Sequence, residues 1–236
     1  MIDKIVPSLE AAVDGIADGA TVLVSGFGGA GIPTDLLHAL IRKAPRNLTV
    51  VNNNAGNGHV GLAALMEAGC VAKIICSFPR SANSVVFDTL YKEGRIELET
   101  VPQGTLAERI RAAGAGVGAF YTRTTVGTPL AEGKEIREID GQQYVLEYPI
   151  HADVALVKAD LGDRWGNLTY RLAARNFGPV MCTAAKLTIV QVNRVVALGE
   201  IEPENVITPG IFVDRVVQVD DPVDETKAMQ EGVRFQ

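Results

Sequence analysis

Four glycines, Gly26, Gly28, Gly29 and Gly31, crowd between a short apolar run and Pro33. Glycine has no Cβ, so such a loop can bring bare backbone N–H groups against a ligand. Where a helix starts just beyond, those groups and the helix dipole favour an anion. The spacing Gly26-x-Gly28-x-x-Gly31 also matches the fingerprint of a dinucleotide site. That site needs a carboxylate about 20 residues further on, where the second strand ends, to hold a ribose. The second apolar run, Leu48 to Val51, ends instead in Asn52-Asn53-Asn54. A nicotinamide-dependent dehydrogenase is therefore left with half of its signature. A tight strand-to-helix turn with no ligand is the third reading.

The elements that must position this loop follow from local pattern. Asp18-Gly19 is a turn pair, and Thr21 to Val24 is too short for a helix, so it reads as a buried strand. Pro33 suits the first turn of a helix, and Leu36, Leu37, Leu40 and Ile41 then recur at helical spacing. The alternation continues. Strands are predicted at Leu48 to Val51, Val71 to Cys76, Ile96 to Val101, Val117 to Tyr121, Val154 to Val157 and Leu187 to Val192. Helices are predicted at Pro7 to Ile16, Pro33 to Arg42, Val60 to Glu67, Asn83 to Tyr91 and Thr105 to Ala113. Ile136 to Ile139 and Tyr144 to Glu147, split by Asp140-Gly141, read as a small hairpin. The fold class is α/β, an open, mostly parallel sheet with helices on both faces. One domain is expected over residues 1–219, with a polar tail at 220–236 that frays. Ligands of such sheets bind at the carboxyl ends of the strands. Three polar loops meet that condition and should share one crevice: Ser25 to Gly31, Asn52 to Gly58, and Pro102-Gln103-Gly104.

Composition narrows the classes. A chain of 236 residues fits one large α/β domain, and 47% hydrophobic residues with few aromatics fit an aliphatic core. A net charge of −6 argues against non-specific nucleic-acid binding, though not against a polyanionic ligand in a local pocket. Cys70, Cys76 and Cys182 form no CxxC pair, and reduced thiols are the expectation. His38, His59 and His151 lack metal-ligand spacing. No run approaches a membrane span and no signal-peptide core opens the chain, so a cytoplasmic location is expected. Arg109 and Arg111 read as a solvated helix face.

The glycine stretch resembles the first signature of the family I CoA-transferases: Asp18-Gly19, three apolar residues at Val22 to Val24, Gly26-Phe27, then Gly31-x-Pro33. Ser25 replaces the first glycine of the usual pair. VPQGTLAERIRAAGAGVGAFY (101–121) and RLAARNFGP (171–179) resemble two further blocks of the family's α chain, and the likeness runs from about Asp3 to Val219. NNNAGNG, CSFPRS and GDRWGNLTYR are similar to the branch that takes 3-oxoadipate. The acetoacetate-active branch shares the other blocks and stays open as the alternative.

The resemblance implies a NagB/RpiA-like α-subunit fold and transfer of CoA from succinyl-CoA to a 3-oxo acid. It implies no metal or redox cofactor, and a partner β subunit in an α2β2 assembly. In the family a β-chain glutamate attacks the thioester and later carries CoA. The pseudo-equivalent position here is Asn53, which is no nucleophile, so this chain is expected to be half an enzyme. Gln103 matches the glutamine whose amide faces the reacting carbonyl oxygen. Gly26, Phe27, Gly28, Gly29 and Gly31 would approach substrate or CoA. Asn53 and Asn54 would donate to the acid or the thioester, and Arg80 would bind a distal carboxylate. A non-catalytic effector-binding module is the remaining class, without a visible DNA-binding segment.

Overall fold

The computed structural model describes residues 2–81 and 83–235. Ten strands form two sheets. The strands are β1 (Thr21–Val24), β2 (Leu48–Val51), β3 (Val71–Cys76), β4 (Glu97–Thr100), β5 (Phe120–Thr122), β6 (Ile136–Ile139), β7 (Gln142–Glu147), β8 (Ala152–Asp163), β9 (Ala185–Val196) and β10 (Arg215–Gln218). Seven of them build the main sheet in the order β10-β9-β8-β1-β2-β3-β4, every neighbouring pair parallel. Side chains alternate between the two faces of a strand, and the core divides accordingly. Val22, Val24, Val50 and Ile74 enter one buried cluster, while Leu23, Val51 and Ile75 enter the other. Helices α1 (Leu9–Val13), α2 (Thr34–Lys43), α3 (Gly61–Glu67) and α4 (Val85–Lys92) cover the first face. Helices α5 (Gln103–Gly114) and α6 (Gly178–Cys182) cover the second. This is the expected α/β layering, and no helix of the described residues is long and apolar enough to cross a membrane.

Strand order reverses between β1 and β8: the chain runs outward through β2, β3 and β4, then returns to the other side of β1. Open α/β sheets leave a crevice at such a point. The glycine loop follows β1 and so opens beside it.

Several expectations are corrected. The strand expected at Val117 to Tyr121 is β5, which leaves the main sheet and pairs antiparallel with β7. With β6 these make a small three-stranded sheet, its hairpin turning at Asp140 and Gly141 with φ of 50° and 71°. Both positive angles fit the two-residue turn that matches strand twist. Strand β10 lies outside the sequence expectation, because only Val216 and Val217 carry an apolar signal in Arg215–Gln218. The opening helix is five residues long, ending before Asp14-Gly15. The tail, expected to be without structure, holds one more element. Helix α7 (Glu225–Gln230) forms there; its Glu225 meets Thr34 of α2 and lies against Gly61 of α3, and Phe235 beyond it stacks on His38 of α2.

Candidate active site

A cavity of about 510 Å³ opens beyond the carboxyl ends of β1 to β4, lined by Phe27, Gly28, Asn53, Asn54, Asn57, Ser77, Phe78, Ser81 and Gln103. All three loops singled out in the sequence meet there, joined by a fourth after β3 that carries Ser77, Phe78 and Ser81. None of the lining side chains is charged.

Asn53 is the hub. Its side-chain Oδ1 accepts from Gln103 Nε2 at 2.8 Å and from Ser77 Oγ at 2.7 Å. Its backbone carbonyl accepts from the N–H groups of Ser77 and Phe78 at 3.2 and 3.0 Å. Two donors on Oδ1 fix the amide plane, and no described residue accepts from Nδ2. Asn52, fully buried, donates to Val24 O at 2.7 Å and accepts from Asn54 N at 2.8 Å, tying the loop to the end of β1. Asn54 Oδ1 in turn accepts from Gly56 N at 2.8 Å. These short asparagine turns hold the loop without regular secondary structure. Gln103 begins α5, caps no backbone group and points to Asn53 instead.

The glycine loop is braced from below. Ser25 Oγ donates to Gly31 O at 2.7 Å and accepts from Lys158 N at 3.1 Å, so the serine in place of the family's glycine closes the loop's base. Phe27 and Ala30 exchange backbone hydrogen bonds of 3.0 and 3.1 Å. Asn176 clamps the outside: Oδ1 accepts from Gly26 N at 3.1 Å and Phe177 N at 2.7 Å, and Nδ2 donates to Ala30 O at 3.0 Å and Ala173 O at 2.7 Å. A Cβ at Gly31 would lie 2.6 Å from Ala174 O, and Gly31 has φ of +77°, so no other residue fits there.

Of the residues expected at the site, Phe27, Gly28, Asn53, Asn54 and Gln103 line the cavity. Gly26 and Gly31 form the loop's base, and Gly29 faces the C-terminal segment. Arg80 is not a lining residue; its Nε donates to Asp88 Oδ1 at 2.7 Å. Asn57 lies in a loop the sequence assigns to the crevice but is given no role there, and Ser77, Phe78, Ser81 and Asn176 are given no site role, being ordinary polar or aromatic loop residues until folded together. Ser81 and Asn57 bond to each other. The three cysteines are free and buried, and burial pushes the Cys76 and Cys182 thiols up to about 12, which removes them as nucleophiles. Burial lowers His38 to about 4; its neutral Nε2 accepts from Gly61 N at 3.1 Å, a structural role. Among the described residues no cluster of His, Cys, Asp and Glu could hold a metal ion.

An open parallel sheet with an uncharged, amide-rich crevice beyond the carboxyl ends of β1 to β4 defines a ligand-binding protein of the α/β class. Residues 6–219 match the model of the family described as coenzyme A transferase. The chain is 64% identical over 219 residues to one subunit of the 3-oxoadipate CoA-transferase of Pseudomonas putida, covering 93% of this chain and 95% of that one. It is 49% identical over 202 residues to one subunit of the succinyl-CoA:3-ketoacid coenzyme A transferase of Xanthomonas campestris, covering 86% and 83%. It superposes on the acyl-CoA transferase YdiF of Escherichia coli O157:H7 with a TM-score of 0.80 at 26% identity, covering 94% of this chain but 48% of that one. The chain therefore spans about half of YdiF. It belongs to the coenzyme A transferase family.

Proposed function

We propose that this chain is the α subunit of a cytoplasmic two-chain enzyme that moves CoA from succinyl-CoA to 3-oxoadipate, in the breakdown of aromatic compounds. The proposed assembly is α2β2, with a CoA thioester as substrate and no permanently bound cofactor. Residues 1–219 would be the transferase domain. The observation that carries this reading is the amide of Asn53, held in the cavity wall by Gln103 and Ser77: at the position the resemblance pairs with the family's glutamate, this chain offers a hydrogen-bonding group and no carboxylate. The 64% identity to a chain named for 3-oxoadipate supports the choice of acid over acetoacetate.

In this reading a glutamate of the partner chain attacks the thioester carbonyl. CoA thiolate leaves and a mixed anhydride forms. The thiolate then attacks the glutamyl carbonyl and releases succinate, and the acceptor acid takes CoA by the same steps reversed. Each attack places negative charge on a carbonyl oxygen. Gln103 uses one amide proton on Asn53 and keeps the second for that oxygen, while Asn53 and Asn54 offer their Nδ2 groups. Gly28 and Phe27 bring backbone to the acyl group. Removing one such donor costs about 10²–10³ in rate.

The test is to follow CoA transfer from succinyl-CoA with this chain alone, with its partner, and with Gln103→Ala in the mixture. Activity only in the mixture is expected, with kcat lowered by about 10²–10³ in the variant. Borohydride should reduce a glutamyl thioester on the partner and leave this chain unmodified. Transfer by this chain unaided would overturn the division of labour. A distal carboxylate would also compete with Asp88 for Arg80, so Arg80→Ala is compared on 3-oxoadipate and acetoacetate. Equal losses on both acids would remove Arg80 from substrate choice.

A further inference from the structure

The family match stops at Val219, yet the chain beyond it is folded back over the site loops. Glu225 Oε1 accepts from Thr34 Oγ1, at the first residue of α2, at 2.8 Å. Val223 N donates to Asp35 Oδ1 at 3.4 Å. On the other side, a Cβ at Gly61, the first residue of α3, would overlap Glu225 Oε1. A Cβ at Gly58 would lie 2.8 Å from Met229 Cγ, and one at Gly29 3.3 Å from Thr226 Oγ1. Phe235 then stacks on His38 with ring centroids 3.7 Å apart and donates its N–H to His59 O at 3.0 Å. Gly29 and Thr34 belong to the glycine loop and its helix. Gly58, His59 and Gly61 belong to the asparagine loop and its helix. One segment touches both, and glycines make the room.

We propose that residues 222–235 are a strap that sets the distance between the glycine and asparagine loops, with Glu225 as its positioning residue. The consequence for catalysis rests on the acyl-transfer reading of the cavity between those loops; the strap itself does not. Glu225 is wedged between the first residues of α2 and α3, so its side chain fixes where both loops end. Burial raises its carboxyl pKa, opposed by the Thr34 hydrogen bond and by Lys158, with Asp224 and Asp35 adding to the rise. A neutral amide therefore suits the position, and a methyl group leaves Thr34 without its acceptor.

The experiment compares wild type, Glu225→Gln, Glu225→Ala and a chain ending at Asp221, each assembled with the partner chain. Two quantities are read: kcat and KM for succinyl-CoA, and amide hydrogen exchange along the chain. Glu225→Ala and the shortened chain should lose about 10–100-fold in kcat, since a displacement near 1 Å is enough for that. Exchange should quicken in residues 26–31 and 53–61 and nowhere else outside the strap. Glu225→Gln should restore both. Unchanged exchange in the two loops, or a uniform quickening over the chain, would overturn the strap. Where the shortened chain does not fold, Glu225→Ala decides by itself. Should the wild-type mixture transfer no CoA, the exchange pattern still decides the strap, and only the acyl-transfer reading falls.

Discussion

Asn176 uses its whole side-chain amide: both protons and both acceptor positions are engaged, two of them on the glycine loop. Its partner Gly26 is 150 positions away in the chain, so nothing local marks it. Gln103 differs, because it falls between a predicted strand and a predicted helix and matches the glutamine of the family's block, so it can be singled out from the sequence. What the sequence does not reveal is that its amide faces Asn53. Asn176→Asp keeps size and shape but turns an oxygen toward the carbonyls of Ala30 and Ala173. Two acceptors then lose their donor, at about 1–3 kcal/mol each where water cannot replace it. The variant should unfold at clearly lower denaturant, and transfer activity should fall with it. A midpoint equal to wild type would show that Asn176 does not brace the loop.

Elements announce themselves in proportion to their burial. β1, β2 and β3 are mostly apolar, broken only by Thr21, Thr49 and Lys73, because both faces of the sheet are covered, and their boundaries read directly from the sequence. β10 is obscure, being a four-residue edge strand with two apolar residues; in the small sheet the hairpin of β6 and β7 is legible from Asp140-Gly141, but the departure of β5 from the main sheet is not. Charged residues mislead in the same region. Arg109 and Arg111 share a helix and both look solvated in sequence, but only Arg111 is, paired with Glu108 three positions back. Arg109 is largely covered: it donates to Glu99 at 2.9 Å and to Tyr148 O at 2.7 Å, and lies 4.0 Å from the buried Glu147. It links the main sheet to the small one. Lys73 still meets Glu99 at 2.9 Å and Lys134 still meets Glu147 at 2.6 Å when Arg109 is removed, so the loss is that of its own hydrogen bonds, and Arg109→Ala should destabilise by about 1–3 kcal/mol. Arg111→Ala should leave the denaturation midpoint where it was. Equal midpoints for the two variants would remove the distinction.

On the scale of the whole molecule, the acidic balance and the uncharged cavity pose one question. The chain carries a net charge of −6, and the substrates of the proposed reaction are anions. Backbone N–H groups and amides supply direction and partial charge, but no lining side chain of the cavity supplies a positive one. Folding within this chain explains the geometry of the donors, but Arg80, the cation proposed for the distal carboxylate, is paired with Asp88 and lies outside the lining. In the proposed assembly the remaining charge comes from across the mouth of the cavity, where the nucleophile also enters. The isolated chain should therefore bind succinyl-CoA or 3-oxoadipate with a Kd of about 1 mM or weaker, which is ~4 kcal/mol of binding free energy. In the two-chain assembly both should bind at least about tenfold more tightly, a gain of ~1.4 kcal/mol or more. Titration calorimetry on the chain with and without its partner measures the difference directly. Equal affinity in the two titrations would mean that this chain holds a complete binding site. The half-site argued from Asn53 and Gln103 would then have to be abandoned.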